Sequence, residues 1–139
     1  MTDISVVTTQ YQSENRSWLL SEHGTEPGTT PGVTLDISKF VAGTHYPNGY
    51  IPSGTVIGLV TATGLYGPYD PDGNDGRETA TGILFGSLPV RTGSTKVGGA
   101  QVVHGFVAET KLPFASAAVG TEGRLDAAAK ADLPLIHFA

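Results

Sequence analysis

The stretch Gly54-Thr55-Val56-Ile57-Gly58-Leu59-Val60-Thr61-Ala62-Thr63 decides the fold class of this chain. It is rich in β-branched residues, which favour extended strands, and Gly64 ends it. Tyr66-Gly67-Pro68-Tyr69 is predicted to form a short second strand, and residues 70–76 a loop, because turn residues dominate them. The centre of the chain is therefore predicted to be β-sheet.

Residues on both sides of this centre continue the β pattern. Val33, Leu35 and Ile37 alternate with polar residues, which is the period-two signature of a half-buried strand. Further strands are predicted over residues 81–88 and 101–108, where β-branched and aromatic residues recur between turn signals. The chain is therefore predicted to be mainly β.

One short helix is predicted near the C-terminus. Residues 127–132 are rich in alanine, the best helix former, and Asp126 is placed to cap their N-terminal end. Pro134 marks the end of this helix. Leu135-Ile136-His137-Phe138 is predicted to form a final strand.

Residues 1–32 differ from the rest because they are polar and show no sustained periodicity. We therefore divide the chain into an N-terminal arm and linker, residues 1–32, and a β-rich domain, residues 33–139. Within the arm, Ile4-Ser5-Val6-Val7-Thr8-Thr9 is β-prone, and Arg16-Ser17-Trp18-Leu19-Leu20 carries the only Trp. A bulky apolar cluster in a polar arm indicates a docking surface, either on a partner or on the chain's own domain.

Composition narrows the classes of function. The chain has no Cys, which excludes disulfides and thiolate metal sites. Its net charge of −5 leaves no basic footprint for nucleic acid or for an anionic membrane. Residues 1–5 lack the pattern of a signal peptide, and no apolar run approaches the roughly 20 residues of a membrane span. We expect a soluble protein, made in the cytoplasm, that binds neither nucleic acid nor membrane.

The acidic loop Asp70-Pro71-Asp72-Gly73-Asn74-Asp75-Gly76 has the oxygen ligands that a calcium ion prefers. However, Asp75 stands where a calcium loop needs its turn Gly, and Thr81 stands where it needs a bidentate Glu. The pattern favours a simple turn. Arg77-Glu78, directly after the loop, is expected to be a solvated pair.

No motif in the chain predicts catalysis. Ser53 and Ser87 lack the flanking glycines of a nucleophile elbow, and Gly64-Leu65-Tyr66-Gly67 has neither the Lys nor the helix of a phosphate-binding loop. The four histidines share no metal-ligand spacing; they are His23, His45, His104 and His137. We therefore predict that the chain is not an enzyme and needs no cofactor or metal.

The central and C-terminal segments also carry a specific order of motifs. They run Gly54-Thr55-Val56-Ile57-Gly58, Thr61-Ala62-Thr63-Gly64-Leu65-Tyr66, Pro68-Tyr69-Asp70-Pro71, Asp75-Gly76, Ala80-Thr81-Gly82-Ile83-Leu84, and Val102-Val103-His104-Gly105-Phe106-Val107 with Leu112 after it. From about Val33 to the C-terminus, this order resembles the phage head decoration proteins of the lambda protein D type. The arm around Asn15-Arg16-Ser17-Trp18-Leu19 resembles that of decoration proteins from phages of actinobacteria, and it departs from the shorter, Ala- and Pro-rich arm of the lambda protein.

The resemblance implies a β-clip or β-tulip-like decoration domain with an extended N-terminal arm. Such a domain would bind the outer surface of the virion as homotrimers at three-fold positions and stabilise the expanded shell against the pressure of packed DNA. Its partners would be the major capsid protein and two further copies of itself. The predicted capsid contacts all lie in the arm; they are Ile4, Val6, Val7, Tyr11, Arg16, Trp18, Leu19 and Leu20.

Burial of the apolar side chains alone does not offset the conformational entropy that is lost when the whole arm is ordered. Ordering some 30 residues costs roughly 1–2 kcal/mol of backbone entropy for each residue. Burial of Leu19 and Leu20 returns about 1.5–3 kcal/mol for each side chain, and Trp18 returns somewhat more. We therefore expect the arm to be ordered only in part, or to be hydrogen-bonded into the edge of a sheet as well.

Two other functions stay open at this point. A phage tail or fibre component, or a carbohydrate-binding β-module, could stack sugar rings on exposed tyrosines; the candidates are Tyr46, Tyr50, Tyr66 and Tyr69. A small β-fold nucleotide hydrolase is the alternative among enzymes, because β-clip folds also host such hydrolases. No segment matches the nucleotide-pyrophosphatase motifs that this second alternative requires.

Overall fold

The computed structural model describes residues 14–26 and 28–139. In this part of the chain nine strands form, in the order β1 Gly32–Asp36, β2 Tyr50–Ile51, β3 Val56–Val60, β4 Leu65–Pro68, β5 Ala80–Leu84, β6 Leu88–Pro89, β7 Lys96–Val102, β8 Gly105–Val107 and β9 Ile136–Phe138. Two short helices accompany them, α1 Ala42–His45 and α2 Ala127–Asp132, together with 3-10 turns at Ile37–Lys39 and Glu109–Lys111. The prediction of a mainly β fold with a short C-terminal helix is confirmed.

Five strands close into a barrel in the order β1-β4-β3-β5-β7, and β7 pairs back onto β1. The β1–β4 pair is parallel and the other pairs in the barrel are antiparallel. Two small sheets lie outside this closed sheet, the antiparallel pair β2–β6 and the parallel pair β8–β9. The finer expectation of a β-clip or β-tulip-like domain stays a prediction.

Strands β3 and β5 are buried on both faces. On β3, Ile57 belongs to a first hydrophobic cluster and Val56 to a second. On β5, Leu84 belongs to the first cluster and Ile83 to the second. Successive side chains of a strand point to opposite faces, so each strand contributes to two cores. This explains why the segment that decides the fold is a continuous apolar run and does not alternate with polar residues.

The two clusters draw on different parts of the chain. The first cluster contains Val33, Leu35 and Ile37 of the first strand region, and thus confirms the alternation seen in the sequence. The second cluster joins β3 and β5 to the C-terminal elements, where Ala129 and Leu133 of the α2 region and Ile136 of β9 are buried. The barrel therefore needs an outer layer from the end of the chain.

Trp18 belongs to this second cluster, and its side chain is 0% exposed. Its indole Nε1 donates a hydrogen bond to Ser53 Oγ at 3.1 Å, and this hydroxyl donates to Phe85 O at 2.7 Å. Gly54 lies beside the ring with φ +97°, and a Cβ there would come within 3.0 Å of Nε1. Trp18 is therefore a core residue that the arm contributes. Its full burial corrects the prediction that this side chain contacts the capsid.

The Asp126 side chain holds the N-terminal end of α2 in place through two hydrogen bonds. Asp126 Oδ1 accepts a hydrogen bond from Ala129 N at 2.8 Å, which confirms its predicted role as N-cap. The buried Tyr69 hydroxyl donates to the same carboxylate at 3.0 Å. Burial and this hydrogen bond raise the pKa of Tyr69 above its ordinary value. The N-cap of α2 is thereby tied to the end of β4.

The structure departs from the sequence predictions in the bounds of its strands and in its shortest elements. The predicted strand over residues 101–108 is interrupted at Val103 and His104, so its two halves join different sheets as β7 and β8. The short strands β2 and β6 and the one-turn helix α1 were not predicted, because elements of two to four residues are too short to show a period. Pairing with each other defines β2 and β6, whereas the local bonds of His45 N and Thr44 N to Val41 O define α1.

We predict that Trp18→Ala lowers the free energy of unfolding by about 3–5 kcal/mol, because it leaves a cavity in the core and removes the hydrogen bond that Ser53 Oγ accepts from the indole. Urea unfolding of the free protein measures this change. The matched control is Leu20→Ala in the same segment, which is expected to change stability by less than about 0.5 kcal/mol because Leu20 is exposed. Equal stabilities of the two variants would contradict the placement of Trp18 in the core.

Candidate functional site

The described part of the arm runs across the domain surface and is held by polar contacts at its start. The Glu14 carboxylate accepts a hydrogen bond from Ser87 N at 3.1 Å and pairs with Arg16 Nε at 2.9 Å. The Arg16 guanidinium lies 4.2 Å from the centre of the Phe85 ring, and its Nε donates to Phe85 O at 3.0 Å. Arg16 is therefore engaged on its own domain, although its side chain stays partly exposed.

The same segment then adds to the edge of β8. Leu19 forms an antiparallel bridge with Val107, Leu20 N donates to Phe106 O at 3.1 Å, and Ala108 N donates to Trp18 O at 2.7 Å. Of the two alternatives expected for the arm, hydrogen bonding into a sheet edge occurs for these residues, on the chain's own sheet. Four predicted contact residues lie outside the described residues; they are Ile4, Val6, Val7 and Tyr11.

The side chains of this segment divide by exposure. Trp18 is fully buried, and Leu19 is partly buried against the same cluster. Leu20 is 49% exposed. Of the three apolar residues predicted to contact a partner here, only Leu20 presents about half of its surface to the outside.

Leu20 is the first member of a row of side chains that crosses from the arm segment to β8 and then to β9. It lies opposite Phe106 because Leu19 pairs with Val107, and Phe106 lies opposite His137 in the β8–β9 register. Directly paired residues of neighbouring strands project from the same face of a sheet. Phe106 is 42% exposed, whereas Gly105 and Val107 on either side of it are buried, so this row faces outward.

Two further histidines border this row. The His23 ring lies 4.6 Å from the His104 ring and 6.1 Å from the Phe106 ring, and the His137 ring lies 5.8 Å from that of Phe106. We name the surface formed by Leu20, Phe106, His137, His23 and His104 the Phe106 face. Three of the four histidines, which are scattered in sequence, thus meet on one surface.

Close backbone packing fixes the arm to this face. A Cβ on Gly24, which has φ +92°, would lie 1.7 Å from His104 O, and a Cβ on Gly105 would lie 2.7 Å from His23 O. Only glycine at these two positions lets the two backbones approach so closely. Hydrogen bonds from the backbone N–H groups of Glu26 and Gly24 hold the pKa of the Glu26 carboxyl below its ordinary value. The turn at residues 21–26 is therefore docked on the domain.

The buried His45 is separate from these three. Its Nδ1 accepts a hydrogen bond from Val41 N at 2.9 Å, which leaves Nε2 to donate to Glu122 O at 2.9 Å. The rings of Phe40 and Phe114 contact it edge-on at 5.4 and 5.6 Å. Both ring nitrogens are satisfied within the fold, so His45 has a structural role between α1 and the loop before α2.

The acidic loop is organised by Arg77, whose side chain is only 11% exposed. Its guanidinium lies 3.0 Å from Asp75 Oδ2, 3.7 Å from Asp70 Oδ2 and 3.6 Å from Glu122 Oε2. Burial alone would raise the pKa of the Asp75 carboxyl, but the hydrogen bonds from Arg77 outweigh it and hold that pKa below its ordinary value. The expectation of a solvated pair is therefore wrong for Arg77, because its guanidinium is held among the carboxylates of Asp70, Asp75 and Glu122.

The other titratable side chains do not form a site for a metal ion or a small ligand in the described part of the chain. Among residues 14–26 and 28–139, no cluster of three or more His, Asp or Glu side chains is arranged to hold a metal ion. A cleft of about 340 Å³ beside α2 contains Asp126 and Glu109, which already bind Tyr69 and Lys130. No helix in the described part of the chain is both long and apolar enough to cross a bilayer.

The four tyrosines in the described part of the chain do not form an exposed platform for sugar rings. Tyr69 is fully buried, and Tyr46 and Tyr66 are partly buried against the first cluster. Tyr50 is partly buried in the short strand β2. The stacking surface expected for a carbohydrate-binding module is therefore not formed by these residues.

Comparison with known proteins adds one positive finding. A model of the family described as bacteriophage lambda head decoration protein D matches residues 33–138. No curated protein and no solved structure matches the chain significantly. The matched range begins at the second residue of β1 and ends with β9, so it includes the barrel except Gly32 and the whole β8–β9 sheet.

We predict that Gly24→Ala destabilises the protein by about 1–3 kcal/mol more than Gly28→Ala, because only the Cβ at Gly24 meets another backbone. Gly28 is a matched control, since its φ is +88° and a Cβ there has open space around it. Urea unfolding gives the difference in stability, and amide exchange at residues 19–26 locates it. Equal effects of the two substitutions would show that the turn is not docked as described.

Proposed function

Because the chain belongs to the bacteriophage lambda head decoration protein D family, whose members are structural proteins of the phage head, we propose that it binds the exterior of the assembled capsid and stabilises the expanded shell. The observation that carries this proposal is the family match over residues 33–138, which covers nearly all of the β-rich domain. The bound form is a homotrimer at three-fold positions, and the partner is the major capsid protein. The role is mechanical and involves no catalysis or cofactor.

The mechanism is that of a clamp between adjacent capsid subunits. Each copy contributes modest contacts, and a trimer adds avidity because its second and third arms bind at a high effective concentration. Internal pressure from packed DNA separates subunits only if these contacts break together. The shell repeats the clamp at every equivalent position, so a small stabilisation for each copy becomes large over the whole particle.

The attachment of the arm to the domain supports this role. Trp18 is buried in the core, and the backbone of the arm is hydrogen-bonded to β8, so tension on the arm is transmitted into the fold. An arm tethered only by a flexible linker would have to be pulled taut before it transmitted the same load. Ile4, Val6, Val7 and Tyr11 remain proposed shell contacts, and β-strand addition is a recognised way for such a segment to bind a sheet edge.

We predict that deletion of residues 1–13 weakens binding to expanded capsid shells that lack this protein by about tenfold or more, which corresponds to at least 1.4 kcal/mol. The melting temperature of the free protein should change little, because the deletion retains Glu14, Trp18 and the whole described core. Co-sedimentation with purified shells measures the affinity, with the full chain as reference. Failure of the full chain to bind shells would overturn the proposed function, whereas equal binding of both forms would remove the arm from the interface.

A further inference from the structure

The turn that leads into β2 carries the dipeptide Asn48-Gly49 at its exposed end. Gly49 N donates a hydrogen bond to Tyr46 O at 3.1 Å, and Gly49 has φ +84°, so residues 46–49 form a tight turn. Both Asn48 and Gly49 are exposed, and a Cβ on Gly49 would meet no atom beyond its chain neighbours within 4 Å. Open space therefore surrounds the peptide bond between these two residues.

The side chain of Asn48 forms no hydrogen bond in the described part of the chain. Of the asparagines in the sequence, Asn48 alone precedes a glycine. Asn15 precedes an arginine, and its Oδ1 accepts a hydrogen bond from Ser17 N at 3.0 Å. Asn74 precedes an aspartate. Asn48 therefore combines an unrestrained carboxamide with a following residue that has no side chain.

An asparagine that precedes a glycine can react without an enzyme. The backbone nitrogen of the next residue attacks the carboxamide carbon, a C–N bond forms, and ammonia leaves with the proton of the attacking N–H. Water then opens the resulting succinimide ring at either of its carbonyl carbons, which gives aspartate or isoaspartate. Glycine favours the first step because it has no Cβ to crowd the attacking nitrogen.

The local structure permits this attack at Asn48. The hydrogen bond from Gly49 N to Tyr46 O must open first. The turn is followed by β2, which pairs with β6 only through Tyr50 and Ile51. Exposed segments with so few backbone pairs open locally at a small cost in free energy.

The acidic loop has the same glycine spacing but lacks the reactive amide. Asp72 and Asp75 each precede a glycine, but side-chain carboxyls are ionised near neutral pH, and an ionised carboxylate resists attack by a backbone nitrogen. Asp75 is held in addition by Arg77 Nε at 3.0 Å. Asn48 is thus distinguished from the acidic residues that precede glycines in this loop.

We propose that Asn48 is a site of spontaneous deamidation, at which Gly49 N and water convert the side chain to aspartate and isoaspartate. The product adds a negative charge to the turn, and isoaspartate routes the main chain through Cβ. This longer path lies directly before β2, where Val90 N donates to Gly49 O at 2.9 Å and Ile51 is fully buried. The modification therefore loosens the β2–β6 sheet with time. The inference is independent of capsid binding, because the reaction needs only this chain and water.

The test incubates the full-length protein at physiological temperature in buffers from mildly acidic to mildly alkaline pH. Peptide mapping by mass spectrometry measures deamidation at each asparagine, with Asn15 and Asn74 as internal references. Asn48→Gln is the matched control, because it retains an amide before Gly49 but would have to form a larger ring. A parallel incubation in urea gives the rate in the unfolded chain, and the isoaspartate form is separated for thermal melting.

The expected result is that Asn48 in the folded protein deamidates about tenfold faster or more than Asn15 and Asn74. The rate should rise with pH, because the attacking nitrogen must lose its proton, and Asn48→Gln should abolish the fast product. The isoaspartate form should melt below the unmodified protein.

Two results would overturn the proposal. One is an equal rate at the three asparagines, and the other is deamidation of Asn48 in urea but not in the folded protein, which would show that the Tyr46 hydrogen bond blocks the attack. An isoaspartate form that melts with the unmodified protein would overturn the assigned effect on β2.

Discussion

The burial of β3 and β5 on both faces is the constraint on which the rest of the structure depends. A closed five-stranded barrel can bury one face of its strands inside itself, but Val56 and Ile83 project outward into a second cluster. Exposure of large aliphatic side chains there would lower the stability of the fold by about 1.5–3 kcal/mol for each side chain. The outer layer that covers them comes from both ends of the chain, with Trp18 from the arm and with α2, β8 and β9 from the C-terminus.

The need to cover this outer face also docks the base of the arm on the domain. Because Trp18 completes the core and donates to Ser53, residues 14–26 are part of the domain in mechanical terms, and the arm is anchored before it meets any partner. The same docking brings Leu20 and His23 beside Phe106 and so creates an outward surface. One packing requirement thereby stabilises the fold, fixes the base of the arm and forms the Phe106 face.

The sequence predicted the elements whose periodicity or caps are local. The alternation at Val33, Leu35 and Ile37, the apolar run of β3, and Asp126 as the cap of α2 are confirmed. The burial of Trp18 could not be predicted, because a bulky apolar cluster in a polar arm has the same pattern whether it docks on its own domain or on a partner.

The Phe106 face and the Arg77 network were missed for a different reason. Both depend on residues far apart in sequence, such as His23 with His104 and Arg77 with Glu122. Sequence spacing carries no information about such encounters. The outward position of Phe106 is seen only in the structure, where Gly105 and Val107 on either side of it are buried, because Gly-Phe-Val shows no apolar–polar alternation in the sequence.

The most direct test of a decoration role is the copy number of this protein in purified virions, measured by densitometry against the major capsid protein. A protein that clamps the whole shell should be present at close to the abundance of the capsid protein, and the account predicts this result. A few copies per particle would place the protein in the tail or a fibre. Its absence from the virion would contradict a structural role altogether.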